Sequence, residues 1–296
     1  MNRVELHHGD CLDWLPTVAS ESVDAVITDP PYPCIKRDYG YWMVEEWWAL
    51  IVEGVIPQVR RILKPTGSAV FILQPNSEHV GQMRGWLWEF MAWVCREWNM
   101  VQDVWWWNIA ALPLGGSITD GLLRPSLRSC VWCGASNCYR FQTSVLWGES
   151  ERNAARRKER CFKRIVHPSG RSVNCGVMTG AAVRRGGVTP FNVLPISNTD
   201  SQSSVGAYGH GAGTPLALAD WWTRYICPPG GVVCDPFMGT ATMGVAAIQN
   251  GCGFIGCDKV AEYVEVARVR IREARAARRQ IALPESVPVP EMSGVI

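Results

Sequence analysis

No apolar run in this 296-residue chain approaches the eighteen or so residues that a membrane span requires, and its opening, MNRVELHHGDCLDWL, lacks the apolar core of a secretion signal. A cytoplasmic protein with no membrane partner is expected. The twelve cysteines are then expected to be reduced, and mostly buried as small apolar side chains. Only Cys130, Cys133 and Cys138 have ligand-like spacing. No second CxxC follows, and strand alternation sends Cys130 and Cys133 to opposite faces, so no metal site is expected. Net charge is scarce as well. The 29 Lys and Arg against 27 Asp and Glu leave +2, too little to announce a nucleic-acid partner, so any electrostatic case depends on where the charge sits.

What is present is a chain 47% apolar and 19% charged, which suits one large globular domain with an inserted segment. The first third alternates as an α/β fold does: strands at 4–7, 24–28 and 68–73, helices at 45–63 and 76–98, and Lys64-Pro65-Thr66-Gly67 as a break. The first helix must bend or end near Pro57. Strands are expected at 101–107, 128–133 and 141–147. From 148 to 209 the pattern degrades into Arg, Gly, Ser, Thr and Asn, as in an insertion built mainly of loops. Order returns with helices at 214–225, 239–250 and 261–279 and strands at 232–234 and 254–257. Residues 280–296 read as a mobile tail. The expected organisation is therefore 1–147 and 210–279 as two parts of one domain, with 148–209 between them.

The most specific local signal is Asp29-Pro30-Pro31-Tyr32, directly after the apolar strand residues Ala25, Val26 and Ile27. Two prolines stop strand pairing abruptly and present a carboxylate, a free carbonyl and an aromatic ring at the sheet's carboxyl edge. Asp29 and the Pro30 carbonyl can each accept one hydrogen of an NH2 group on a planar ring, while Tyr32 stacks on its face. A tight loop with a helix-capping Asp is the plainer alternative. A second signal is Cys234-Asp235-Pro236-Phe237-Met238-Gly239-Thr240-Ala241-Thr242, where a strand turns through an acidic, glycine-containing loop into a helix. The next strand ends about twenty residues later in Asp258, followed by Lys259. That spacing lets a βαβ unit hold an adenine nucleoside, with the second acid on ribose hydroxyls. The glycines differ from G-x-G-x-x-G and there is no phosphate-binding lysine loop, so a nucleoside without pyrophosphate fits better than NAD or ATP.

Together the two motifs resemble the amino-methyltransferase family of DNA methylases, in which D-P-P-Y is catalytic and D-P-F-x-G-x-G binds the cofactor. The tetrad comes first here, as in the β group, whose recognition segment lies between the motifs. The resemblance implies a Rossmann-like α/β fold with a mixed twisted sheet, S-adenosylmethionine as cofactor, double-stranded DNA as partner, and Asp29, Pro30, Pro31 and Tyr32 as the catalytic set. It also implies methyl transfer to N6 of adenine in a flipped-out base, with N4 of cytosine as the rival. Aspartate at the first tetrad position favours adenine. By the same resemblance Asp10 and Cys11, in a G-D segment, reach the cofactor's adenine, and Asp29, Asp235, Pro236, Phe237, Gly239, Thr240, Asp258 and Lys259 line its site. His210, Thr214 and Pro215 hold its methionine end, although Thr214 stands where many relatives carry lysine. Ala241 replaces the second glycine, which is tolerated if its dihedrals are not left-handed. The family's enzymes often form dimers, and a homodimer is allowed here.

Weaker features complete the reading. Between 149 and 185 ten basic side chains face three acidic ones, and Arg156, Arg157, Lys158, Arg160, Lys163 and Arg164 are expected on DNA phosphates. The arginines of the last helix are expected to face solvent. Of fifteen tryptophans most belong in the core, with Trp42, Trp47 and Trp48 as candidates for stacking on a base. A catalytically silent DNA- or cofactor-binding protein is the alternative from another class.

Overall fold

The run Val23–Thr28, mostly apolar, is buried at all six positions and so on both faces, which requires helices on both sides of the sheet. The computed structural model describes residues 3–37, 40–111, 119–147, 163–166, 172–175, 186–198 and 213–282. In chain order its elements are β1 (Val4–His8), α1 (Cys11–Trp14), β2 (Val23–Thr28), α2 (Val44–Trp48), α3 (Ile56–Ile62), β3 (Leu63–Leu73), β4 (Ser77–His79), β5 (Gln82–Met83), α4 (Trp86–Glu97), β6 (Met100–Trp107), β7 (Leu127–Gly134), β8 (Lys163–Val166), β9 (Ser172–Cys175), β10 (Val193–Pro195), α5 (Leu216–Ile226), β11 (Val232–Asp235), α6 (Thr242–Gln249), β12 (Gly253–Asp258) and α7 (Ala261–Ala282).

Eight strands form one mixed sheet in the order β1-β12-β11-β2-β3-β7-β6-β10. All pairings are parallel except those of β7, which runs against both β3 and β6. One face carries α5, α6 and α7 over Ala25, Ile27, Val70, Ile72, Cys130 and Trp132. The other carries α1 to α4 over Val26, Ala69, Phe71, Val131 and Cys133. Strand alternation thus sends Cys130 and Cys133 to opposite faces, as the sequence requires. No described helix is long and apolar enough to cross a membrane.

Several elements differ from expectation, each for a local reason. The helical run from Val44 to Ile62 stays unbroken but passes through a π-helical stretch, Ala49–Val55, ahead of Pro57. A wider turn absorbs the missing N–H and the bulk of the prolyl ring. Lys64-Pro65-Thr66-Gly67 does not break the strand. It lies within β3 as an irregularity, because the register jumps from Val23 opposite Leu63 to Ala25 opposite Ser68. The helix expected from 76 begins only at Trp86. Ser77–Met83 forms a small hairpin turning at Gly81, whose φ of 80° suits glycine. The strand expected at 141–147 is instead a 3₁₀ turn, Gln142–Val145, with a single bridge from Trp147 to Val188. Within 148–209, β8 and β9 pair with each other and β10 completes the main sheet beside β6. Three residues ending in proline were too short to read as a strand.

Candidate active site

Parallel strands deliver their carboxyl ends to one edge of the sheet, and the reversed β7 delivers its amino end there. A cavity of about 820 Å³ opens along that edge, lined by Asp10, Asp258, Asp235, Asp29, Arg128 and Asn108, each at or close to one end of a different strand, β1, β12, β11, β2, β7 and β6. Crevices of this kind, outside the carboxyl ends of an α/β sheet, are where such folds bind ligands.

At the centre, β2 ends at Thr28, whose hydroxyl donates to Asp235 Oδ1 at 2.7 Å. The chain then leaves the sheet through Asp29, Pro30, Pro31 and Tyr32. Two carbonyls of this loop are held by side chains: the indole N–H of fully buried Trp47 donates to that of Pro31 at 2.7 Å, and the Asn76 amide donates to that of Pro33 at 2.6 Å. Asn76 is itself fixed by Trp86 Nε1 at 3.0 Å. Just before these two carbonyls, that of Pro30 receives no hydrogen bond from any described residue. Trp47, a candidate for base stacking, therefore acts as a strut beneath the loop. Trp42 does line the cavity, with Lys259 Nζ 4.6 Å from its ring centre.

Asp29 is held from three sides. Tyr32 donates its hydroxyl to Oδ1 at 2.5 Å, and Thr214 donates to Oδ2 at 2.7 Å. Arg128 Nη1 lies 3.8 Å from Oδ2. Burial works against the charge of Arg128, but Tyr32 and Asp29 outweigh it, so its pKa is raised. A carboxylate has about four lone-pair positions, so these contacts leave room for a ligand's N–H.

The other half of the cavity is built on acids that shape turns. Asp10 caps α1, accepting from the Leu12 N–H at 2.8 Å, and beside it burial drives the Cys11 thiol up to about 12. Asp258 accepts from the Gly239 and Val260 N–H groups, both at 2.9 Å, and so ties the end of β12 to the turn before α6. Asp235 is 3% exposed, and burial raises its pKa to about 7 despite the hydrogen bonds from Thr28 and the Phe237 N–H. The turn itself holds Gly239 at φ 48° and Ala241 at φ 60°, ψ 47°. Ala241 is thus left-handed, contrary to the condition under which alanine was expected to be tolerated. A further correction concerns α7: Arg270 is buried, not solvent-facing, and its Nη1 reaches the Thr240 carbonyl at 2.7 Å, Thr240 Oγ1 at 2.8 Å and Thr242 Oγ1 at 3.2 Å.

The structure thus gathers Asp10, Cys11, the tetrad, Thr214, Asp235, Pro236, Phe237, Gly239, Thr240, Asp258 and Lys259 around one cavity. Pro215 caps α5 next to it. His210, Arg156, Arg157, Lys158 and Arg160 lie outside the described residues, and Lys163 and Arg164 lie in β8. Sequence reasoning missed Asn76, Arg128 and Arg270 and gave Trp47 a different role, because each acts across a chain separation from a motif it supports. The donor set suits S-adenosylmethionine. Asp10 just after β1, Asp258 at the end of β12 and Asp235 at the end of β11 offer acceptors to nucleoside hydroxyls and amino groups and a negative surface to a sulfonium, with no basic phosphate-binding loop among the described residues.

The chain matches the family described as DNA methylase, covering N6 and N4 enzymes, over residues 23–269. It is 24% identical to the type II methyltransferase M.PvuII of Proteus hauseri over 300 residues, covering 93% of this chain and 86% of that protein. The solved PvuII DNA methyltransferase, named as cytosine-N4-specific, superposes with a TM-score of 0.68 at 20% identity, covering 95% of this chain and 93% of that one. The DNA adenine methyltransferase YhdJ of Escherichia coli is 25% identical over 274 residues, covering 89% of this chain and 81% of YhdJ. TTHA0409 of Thermus thermophilus, solved in complex with S-adenosyl-L-methionine, has a TM-score of 0.56 at 20% identity, covering 92% and 96%.

Proposed function

Because the chain belongs to the N6/N4 DNA methylase family and is an S-adenosylmethionine-dependent DNA methyltransferase, we propose that it methylates the exocyclic N6 of adenine in a base flipped out of duplex DNA. The observation that carries methylation of an amino group is the presence, at one cavity, of Asp29 and of a Pro30 carbonyl that no described residue engages, while the Pro31 and Pro33 carbonyls are both occupied; aspartate at the first tetrad position is what favours adenine. Two acceptors side by side at a cavity edge match the two hydrogens of an NH2 group. Such a group cannot reach the sheet edge from within a duplex, hence the flipped base.

Bound S-adenosylmethionine supplies a methyl group on a sulfonium that leaves as a neutral thioether. Asp10, Asp235, Asp258 and the turn at Gly239 hold it. Asp29 and Pro30 orient the amino nitrogen so that its lone pair points away from the ring plane and toward the methyl carbon. With S-adenosylmethionine bound, the methyl would pass directly from its sulfonium to that nitrogen, with no covalent enzyme intermediate. Asp29, already accepting one amino hydrogen, is placed to take the proton released. Much of the rate comes from this alignment. The recognition segment lies within residues 148–209, outside the strand β10 that joins the main sheet, and Arg156, Arg157, Lys158, Arg160, Lys163 and Arg164 neutralise phosphates.

Cytosine N4 is the second reading. It is favoured by the likeness to the cytosine-N4-specific PvuII enzyme, and the same two acceptors serve its amino group. A catalytically silent binding protein is tested by Asp29→Ala. We expect this variant still to bind S-adenosylmethionine, its affinity changed by less than about tenfold, and to lose at least about 100-fold in methyl transfer. Full turnover by Asp29→Ala would remove the mechanism.

A further inference from the structure

β7 is the strand that runs against its sheet neighbours, so the residue it brings to the cavity lies near its start. That residue is Arg128, opposite Trp106 in the register of β6. Its guanidinium lies 4.6 Å from the ring centre of Trp106, which is fully buried and anchored by its indole N–H on the Ile196 carbonyl at 2.8 Å. Stacking on a fixed indole restricts a guanidinium that would otherwise be mobile. The side chain is 23% exposed and lines the cavity beside Asp29 and Tyr32. Asp29 Oδ2, at 3.8 Å, is near enough to attract it and too far for a hydrogen bond. A guanidinium carries five N–H donors in a planar fork, more than Asp29 and Tyr32 can engage.

An acceptor and a donor therefore stand side by side at the catalytic end of the cavity. On the Watson–Crick edge of adenine or cytosine, the amino group is followed by an unprotonated ring nitrogen, so these bases present a donor and then an acceptor. Guanine and thymine present a carbonyl and then a ring N–H, the reverse order. We infer that Arg128 is a specificity-determining residue, donating a hydrogen bond to the ring nitrogen next to the amino group held by Asp29. The pair selects amino bases and rejects keto bases, which would set carbonyl against carboxylate and N–H against guanidinium. This role rests on the proposed base-flipping reaction, but holds whether the base is adenine or cytosine.

The test uses the full-length protein on duplexes containing its target site, with the target base either natural or replaced by 1-deazaadenine or 3-deazacytosine, in which C–H replaces the ring nitrogen. For the wild type we expect kcat/KM to fall at least about tenfold on the deaza base. Arg128→Met is expected to be slower on the natural base and to lose the discrimination, its two rates differing by less than about twofold. Arg128→Lys, which keeps a charge and a donor, is expected to recover part of the discrimination, guarding against a merely structural effect. S-adenosylmethionine binding by each variant verifies the fold. If Arg128→Met discriminates as strongly as the wild type, the inference is overturned while the methyltransferase reading stands. A wild type that methylates no duplex overturns both.

Discussion

Thr214 donates its hydroxyl to Asp29 at 2.7 Å although the two are 185 residues apart in sequence. The contact joins the loop before α5 to the tetrad Asp29–Tyr32 and sets a short hydroxyl side chain beside the carboxylate. Thr214→Val keeps the shape and removes the hydroxyl. We expect kcat to fall about tenfold, the worth of one hydrogen bond to a charged group, with KM for S-adenosylmethionine little changed. Steady-state kinetics check this. A raised KM with unchanged kcat would place Thr214 on the cofactor instead, as its motif suggests.

Asp235 gives the protein a signed pH dependence. Burial lifts its pKa from the ordinary 3.8 to about 7. Below pH 4 it is protonated in both folded and unfolded chains and has no effect. As pH rises toward 7 the unfolded chain releases a proton that the folded one retains, so stability falls, and above 7 the full cost is present. Asp235→Asn keeps the Oδ1 acceptor for Thr28 and the Phe237 N–H without the charge. Urea denaturation should show this variant more stable than the wild type at pH 8, with the gap ~2–3 kcal/mol narrower at pH 5. A gap that widens toward acid would contradict the assignment.

The left-handed Ala241 and the buried Arg270 belong together. A non-glycine residue in this conformation costs about 1–2 kcal/mol, so the turn persists only where its surroundings impose it. Arg270 does so by gripping Thr240 and Thr242 on either side. In Arg270→Met the buried carbonyl of Thr240 loses a charged donor. We expect about 2–3 kcal/mol of destabilisation, a Tm lower by about 5 °C, and S-adenosylmethionine affinity reduced at least about tenfold. Thermal melts and calorimetric titration read both effects. Unchanged affinity would separate Arg270 from the cofactor loop.

These residues mark the limit of what the sequence made legible. The tetrad and the Asp235 turn were readable because each is contiguous and ends an apolar strand, and strand period alone placed Cys130 and Cys133 on opposite faces. Arg270 was not, because the periodicity of a charged helix does not say which of several arginines turns inward. Arg128 was missed because its value depends on β7 running backward, a fact of topology that no local pattern carries. The π-helical stretch before Pro57 and the hairpin at Gly81 were hidden for another reason. A proline or glycine announces a disturbance, and only the surrounding packing decides whether the chain bends, bulges or turns.

The most direct test of the central claim is to incubate the purified protein with unmethylated genomic DNA and isotopically labelled S-adenosylmethionine, digest the DNA to nucleosides, and identify the labelled species by mass spectrometry. The account predicts label in N6-methyladenine. Label in N4-methylcytosine would keep the mechanism and overturn the base. No label in any nucleoside, from a protein that binds the cofactor, would contradict the account.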